Sequence, residues 1–392
     1  MPPVSKMFDF IVIGGGSGGM ACARRAAAHG AKVAVVEGSG RLGGTCVNVG
    51  CVPKKVMFNG ASIIEAIEDA KHYGIGVGAA PSFDWGFLKQ ARDAYVKRLN
   101  GIYERNLDNE SVEYVDGTAS FVNSSEVKVN DLVLRANHIL IATGGHPIIP
   151  SVSGAELGID SDSFFDLETQ PKKVAVVGSG YIGIELAGIF KTFGSDVTVF
   201  TRTPHILRHH DPIIGDTMLQ EMKRIGIRFE HNSSVSGVKR NDGAQLPLEL
   251  SWSTGADAAA ISSDSFDCVL WAVGRAPNTR ALNLEALPGI ERGRYGHILA
   301  DEFQNTNVRG VYSLGDVFGK SELTPVAIAA GRKLADRLFG GEQFATAKLD
   351  YVNIPTVIFG HPTAGTVGLS EKQAREAYGS DSIKVYQTRF TN

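Results

Sequence analysis

Residues 8–37 read FDFIVIGGGSGGMACARRAAAHGAKVAVVE, and the order of their parts decides the fold. A short apolar run, Phe8 to Ile13, meets the glycine turn Gly14-Gly15-Gly16-Ser17-Gly18-Gly19. An Ala-rich helical stretch continues to Gly30, and Lys32 to Glu37 is a second apolar run ending on an acid. Strand, glycine turn, helix, strand is the order of a dinucleotide-binding unit. The glycines permit a tight turn and close backbone approach to a pyrophosphate, which sits on the free N–H groups and positive dipole of the helix start. Glu37 is placed to accept hydrogen bonds from a ribose diol and would repel a 2′-phosphate, so this unit should take FAD or NAD and not NADP. Glycine turns of this spacing also arise in loops of no consequence, with the acid merely solvated; the flanking strands and helix weigh against that.

The same order recurs in residues 173–200, KVAVVGSGYIGIELAGIFKTFGSDVTVF, with Gly178-Ser179-Gly180-Tyr181-Ile182-Gly183 as the turn and Ile184 to Phe193 as the helix. Its second strand, Asp196 to Phe200, is followed by Thr201, Arg202 and then Arg208, with no carboxylate where the ribose-binding acid is expected. Two guanidiniums there suit a 2′-phosphate, which predicts NADPH over NADH; the alternative is a pair of solvated surface charges. Between the units, Asn137 to Gly145 is a buried-type strand ending in a turn at Thr143-Gly144, and Cys268 to Arg275 is its later counterpart, ending at Gly274-Arg275. These read as crossings between two lobes. Residues 254–267, rich in Ser, Ala and Asp, read as a polar surface loop or hairpin, and Tyr351 to Phe359 resumes a strand-like pattern.

At 392 residues, 43% hydrophobic and 21% charged, the chain is long enough for two or three domains with sizeable cores. A formal net charge of −3 gives no global basic field, so neither nucleic acid nor an anionic membrane is an expected partner. The start MPPVSKMFDF has no apolar stretch of signal-peptide length, and no segment approaches a bilayer span. The expectation is a soluble, cytoplasmic protein, with a mitochondrial or plastid form left open.

Four cysteines, at 22, 46, 51 and 268, are too few for a secreted disulfide scaffold. Cys46 and Cys51 stand five apart in Gly43-Gly44-Thr45-Cys46-Val47-Asn48-Val49-Gly50-Cys51-Val52-Pro53-Lys54-Lys55, beside glycines that permit close approach to a cofactor. Such a pair can close a small ring and be reopened by two electrons. Two unrelated buried thiols is one other reading; zinc ligation is another, disfavoured because no second Cys or His pair sits at ligand spacing, and no metal is expected. Cys22 and Cys268 read as small core residues.

With these motifs in view, the chain resembles the pyridine nucleotide-disulfide oxidoreductase family, and within it the glutathione reductases, from about Phe8 onward. Gly43 to Lys55 is similar to the family's redox signature almost letter for letter, and Val311-Tyr312-Ser313-Leu314-Gly315-Asp316-Val317 to its second flavin motif. The resemblance implies an α/β fold: an FAD-binding domain of residues 1–146 and 275–347, an NADPH-binding domain of 147–274, and the first part of an α+β interface domain in 348–392. It implies that Cys51 faces the flavin as a charge-transfer thiolate and that Cys46 attacks the substrate disulfide. Lys54 would lie near flavin N5 with Glu185 as its ion-pair partner, and Tyr181 would cover the flavin until nicotinamide displaces it; a helix-start aromatic packed in the core is the alternative for Tyr181. The turns at Gly44-Thr45, Thr143-Gly144, Gly180-Ile182-Gly183 and Gly274-Arg275 are expected to line the cofactors, with Asp316 on the ribityl chain and Thr324 near the isoalloxazine ring.

For substrate, Arg24 matches an arginine that takes a glycyl carboxylate, Arg332 a second cationic position, and Tyr95 and Tyr103 tyrosines lining the pocket. These imply glutathione disulfide over a cationic trypanothione-like disulfide, and Arg202 with Arg208 argues against lipoamide as the substrate of an NAD enzyme. The family's proton donor is a histidine, oriented by a glutamate, in a C-terminal His-Pro motif supplied by the partner of a homodimer. The sequence ends at Asn392, ahead of that motif, and His361-Pro362 matches it only as a dipeptide, so His361 is expected to be structural. An incomplete record of a dimeric enzyme is one expectation; a flavoprotein passing electrons only to quinones, dyes or oxygen is the other.

Overall fold

A computed structural model describes residues 4–76, 78, 82–243, 245–255 and 260–390. Phe10–Ile13 is the central strand of a five-stranded parallel sheet. His138–Ile141 and then Val311–Ser313 lie on one side of it, Val33–Glu37 and then Glu113–Asp116 on the other. The three inner strands are buried apart from Glu37 and His138. That is why FIVI, VAVVE and HILI show no polar alternation: both faces of the sheet are covered. Strand order reverses between Phe10–Ile13 and His138–Ile141, which opens a ligand crevice beyond their C-terminal ends. Gly14 stands there at φ 111, and a β-carbon on it would run into the Ala142 carbonyl.

Helix α1 (Ser17–Ala28) leaves that turn; α2 (Gly44–Val49), α3 (Cys51–Ala70) and α4 (Trp85–Asn109) follow the second strand. The second sheet repeats the plan. Lys173–Val177 has Asp196–Thr201 and Arg228–His231 on one side, Cys268–Trp271 and Ile159–Asp160 on the other, all parallel. Helix α5 (Tyr181–Thr192) runs from its glycine turn and α6 (Pro212–Arg224) precedes its edge strand. The helix begins at Tyr181, three residues before the expected Ile184, because Gly180, in extended backbone at ψ 174, already stands as its N-cap. The protein is thus α/β with two Rossmann-like units. The polar stretch after Leu248–Thr254 returns as the antiparallel strand Ile261–Phe266, a hairpin whose residues 256–259 lie outside those described.

The passages between lobes lie side by side, Gly145–Pro147 pairing antiparallel with Arg275–Pro277. After Val311–Ser313 rejoins the first sheet, α7 (Thr324–Phe339) lies along α1. Contact is close because the crossing is built from Gly18, Cys22 and Gly331. Cys22 is fully buried there and burial pushes its thiol up; Cys268, in an inner strand of the second sheet, is pushed up to about 12 by the same cause. Only Thr356–Ile358 of the expected strand Tyr351–Phe359 pairs, with Ala364–Thr366. Asn353 sits at φ 54 and Pro355 has no N–H to donate, so the preceding residues cannot join the ladder. Helix α8 (Glu371–Tyr378) follows behind a capping box of Ser370 and Gln373.

One core crosses the lobes. Met57, Phe58 and Ala61 of α3 and Trp85 of α4 pack with Phe164, Ile184, Phe190 and Phe193 of the second lobe. Phe83 stacks on Phe193 with centroids 3.9 Å apart, and the Trp85 indole donates to the Leu167 carbonyl at 2.8 Å.

The α1–α7 contact is directly testable. A methyl on Gly331 would sit 2.5 Å from the Gly18 carbonyl oxygen, so Gly331→Ala is expected to cost about 1–3 kcal/mol of stability. Urea denaturation measures it; an unchanged midpoint would mean the helices tolerate a wider spacing.

Candidate active site

The dithiol is laid against the first glycine turn. Gly43 and Gly44 take φ 104 and 62, and Gly16 bridges Gly43 so closely that a β-carbon on Gly44 would lie 2.6 Å from the Gly16 Cα. Cys46 then falls within α2 and Cys51 opens α3. Asn100 of α4 fixes the short helix, donating to the Leu42 carbonyl at 2.8 Å and to Asn48 Oδ1 at 3.0 Å.

Both thiols are free, Cys51 exposed to the cleft and Cys46 partly buried. They are not equivalent. The adjoining Cys46 thiol is the main cause that lowers Cys51, to about 6, against the opposing pull of burial. The Thr324 hydroxyl, 4.0 Å from Cys51 Sγ, and the Lys54 charge add to it. Cys46 is driven the other way, by its bond to the Cys51 thiolate and by burial. At neutral pH the negative charge of the reduced pair therefore rests on Cys51.

Lys54 lies one turn beyond Cys51 on α3, and its Nζ reaches Glu185 Oε1 of α5 at 3.1 Å. The side chains are 11% and 6% exposed. The same carboxylate oxygen accepts the Phe359 backbone N–H at 2.7 Å, and the Phe359 ring lies under both ammoniums, 4.1 Å from Lys54 Nζ and 4.0 Å from Lys55 Nζ. Burial pushes the Glu185 carboxyl up, opposed by Lys54 and the Phe359 N–H. Tyr181, one turn before Glu185, is 43% exposed and lines the cleft, so its ring is not a core side chain.

A connected cleft of about 2400 Å³ runs from the first glycine turn past the dithiol to the second. Its residues fit two dinucleotides. Helices α1 and α5 both start on glycine, Gly16 and Gly180, with no side-chain cap, so their first N–H groups are open to phosphate. Gly19 and Gly183 keep the helices tight on Gly14 and Gly178, and Ser17, Gly18 and Ile182 lie in the cleft walls. Glu37 accepts from the Gly15 N–H at 2.8 Å and the Ser39 N–H at 2.7 Å, leaving lone pairs for a ribose. Thr45, Thr143, Gly144, Gly274, Asp316 and Thr324 also line the cleft. Burial pushes the Asp316 carboxyl up, with Arg275 and His297 opposing.

At the far end Arg202 and Arg208 are exposed and make no ion pair among the described residues. Their loop is pinned by Leu207, buried at φ 52, whose N–H meets the Ser179 carbonyl at 3.0 Å. Arg275 is already engaged, with Asp162 at 3.1 Å and the Gly145 carbonyl at 2.8 Å, so it braces the crossing between lobes at the cleft wall.

Arg24, Tyr103 and Arg332 meet in a separate pocket of about 310 Å³ between α1, α4 and α7. Tyr95 is not in it; it lines the main cleft beside the dithiol helices. Arg24 is held by Glu110, the residue that follows the last turn of α4. His361 is 4% exposed, bonded through Nδ1 to Glu65 at 2.7 Å and packed on Phe58, outside the cleft. Among the described residues no group of three His, Cys, Asp or Glu could hold a metal ion, and no helix is long and apolar enough to cross a membrane.

Two Rossmann-like units with a dithiol between their cofactor clefts define a flavin- and nicotinamide-dependent disulfide oxidoreductase. Residues 8–331 match the family model pyridine nucleotide-disulphide oxidoreductase, and residues 354–392 match its dimerisation domain. The chain is 52% identical to a glutathione reductase of Schizosaccharomyces pombe over 398 aligned positions, covering 100% of this chain and 83% of that protein. It is 48% identical to a glutathione reductase of Yarrowia lipolytica over 396 positions, covering 98% and 83% respectively. The chain belongs to the pyridine nucleotide-disulphide oxidoreductase family, and its cofactors are FAD and NADPH.

The asymmetry of the thiols gives a test by pH. In the reduced protein, alkylation of Cys51, followed by peptide mass, should rise through a midpoint near pH 6, because the thiolate is the reactive form and its pKa is lowered. Cys46→Ala removes the neighbouring thiol that lowers Cys51, so the midpoint must move upward. A midpoint that stays put would assign the low pKa to Lys54 and Thr324 alone.

Proposed function

We propose that the chain catalyses the NADPH-dependent reduction of glutathione disulfide to two glutathiones through Cys46 and Cys51. The observation that carries this is a cofactor cleft lined by both thiols, with a pocket of Arg24, Tyr103 and Arg332 whose Tyr103 is close enough to Cys46 to feel its charge. The names of the two relatives support the same substrate. FAD and NADPH, when bound, supply the two electrons that open the Cys46–Cys51 disulfide.

The chain's own residues account for the rest. Cys46 Sγ attacks one substrate sulfur and forms a mixed disulfide, the S–S bond of the substrate breaking and the proton lost by Cys46 passing to the departing sulfur, so that the first glutathione leaves as a thiol. Cys51, held as the thiolate by the causes given above, then attacks Cys46 Sγ, closing the intramolecular disulfide and releasing the second glutathione. Lys54 keeps positive charge near Cys51 without being free to move, because Glu185 and the Phe359 ring hold it. Arg24 and Arg332 supply cations for the carboxylates of an anionic peptide disulfide, which a cationic disulfide would avoid. The dimerisation-domain match supports a homodimer, as does the surface of that segment, where Val367, Leu369, Tyr378 and Tyr386 are all more than half exposed.

Steady-state assays of the FAD-loaded chain with NADPH, against glutathione disulfide and against an artificial acceptor, test the reading. Turnover of both is expected; activity with the acceptor alone would reject glutathione disulfide as the substrate. Arg202→Ala with Arg208→Ala should reduce the preference for NADPH over NADH by at least about tenfold, since each charge-assisted bond to a phosphate is worth on the order of 1.5–3 kcal/mol. An unchanged preference would reject the phosphate clamp.

A further inference from the structure

The pocket beside Tyr103 contains a negative charge that carboxylate binding does not call for. Glu110, at the C-terminal end of α4, takes Arg24 in a fork: Nη2 to Oε1 at 2.5 Å, Nε to Oε2 at 2.8 Å and Nε to Oε1 at 3.0 Å. A guanidinium gripped through Nε and Nη2 keeps only its outer edge, Nη1 with the second Nη2 proton, for a ligand. The Arg24 and Glu110 side chains are 37% and 31% exposed, so both stay in reach of whatever enters. Arg25 also lines the pocket but is paired with Asp336, while Arg332 makes no ion pair among the described residues. The pocket therefore presents three guanidiniums, two of them already paired with carboxylates, and one carboxylate in its own wall, not a bare cluster of arginines.

We propose that Glu110 is a specificity-determining residue. It holds Arg24 to a single presenting edge, and its charge weakens the pocket's grip on any anion that meets Arg24 alone. A small anion such as inorganic phosphate bears that repulsion in full. A long substrate with several carboxylates offsets it at Arg332, so the pocket favours the extended peptide disulfide over ubiquitous small anions. This rests on the substrate reading above.

Glu110→Gln tests it, because the amide keeps an acceptor oxygen for Arg24 and loses the charge. With the FAD-loaded chain at saturating NADPH, the inhibition constant of phosphate against glutathione disulfide is expected to fall roughly three- to tenfold, the scale of one charge a few ångströms away at a protein surface. The KM for glutathione disulfide should fall less; the phosphate effect should shrink as ionic strength rises, because these charges are exposed to screening. Phosphate inhibition that is unchanged or weaker overturns the proposal. So does an equal fall in both constants, which removes the discrimination, or a gain that persists undiminished at high salt, which is not electrostatic. Calorimetric titration of phosphate into parent and variant reads the same shift without turnover. If the parent fails to reduce glutathione disulfide while the variant still tightens phosphate, the substrate reading falls and the charge effect remains.

Discussion

One carboxylate oxygen ties the molecule together. Glu185 Oε1, on the first helix of the second lobe, accepts from Lys54 on the dithiol helix and from the Phe359 backbone in the C-terminal segment. Removing an ammonium and a carboxylate from water is costly unless each finds the other, so three distant parts of the chain are held to one register. The consequences follow helical spacing. Cys51 stands one turn before Lys54 and Tyr181 one turn before Glu185, so fixing the ion pair aims the thiol and the tyrosine at the same cleft.

The body of α3 makes that register rigid. Its first turn carries the chemistry, while Met57, Phe58 and Ala61 lie in the second lobe's core, joined there by Trp85 from α4. An interface of this apolar kind resists the relative motion that polar domain contacts allow. The thiols can therefore keep unequal environments: Cys51 with a donor, a hydroxyl and a nearby ammonium, and Cys46 with a thiolate neighbour that resists its ionisation. That inequality fits the closing step, in which a Cys51 thiolate attacks Cys46 Sγ; the opening attack by Cys46 is what the family resemblance implies.

Much of this was legible in the residue order, for a physical reason. Glycine turns, doubly buried strands and a close cysteine pair are local patterns, each set by neighbours within about thirty residues, which is the length of a strand–turn–helix–strand unit. The Lys54–Glu185 contact spans 131 positions and no periodicity reports it; only the family resemblance suggested it. The role of Phe359 was hidden because the group that matters is a backbone N–H. Glu110 was hidden because an acid at a helix end reads as solvated, and Leu207 because a buried leucine in the left-handed region has no compositional signal. The strand expected over Tyr351 to Phe359 shortened to Thr356–Ile358 where Asn353 and Pro355 override the apolar pattern.

The most direct test of this account is a double-mutant cycle at the buried pair, with Lys54→Met, Glu185→Leu and the double variant compared by urea unfolding. Each single change leaves one charge buried and unpaired and should cost about 3–5 kcal/mol, while the double variant should recover most of that loss. If the two losses simply add, Lys54 and Glu185 do not act as one unit and the register of the cleft is set elsewhere.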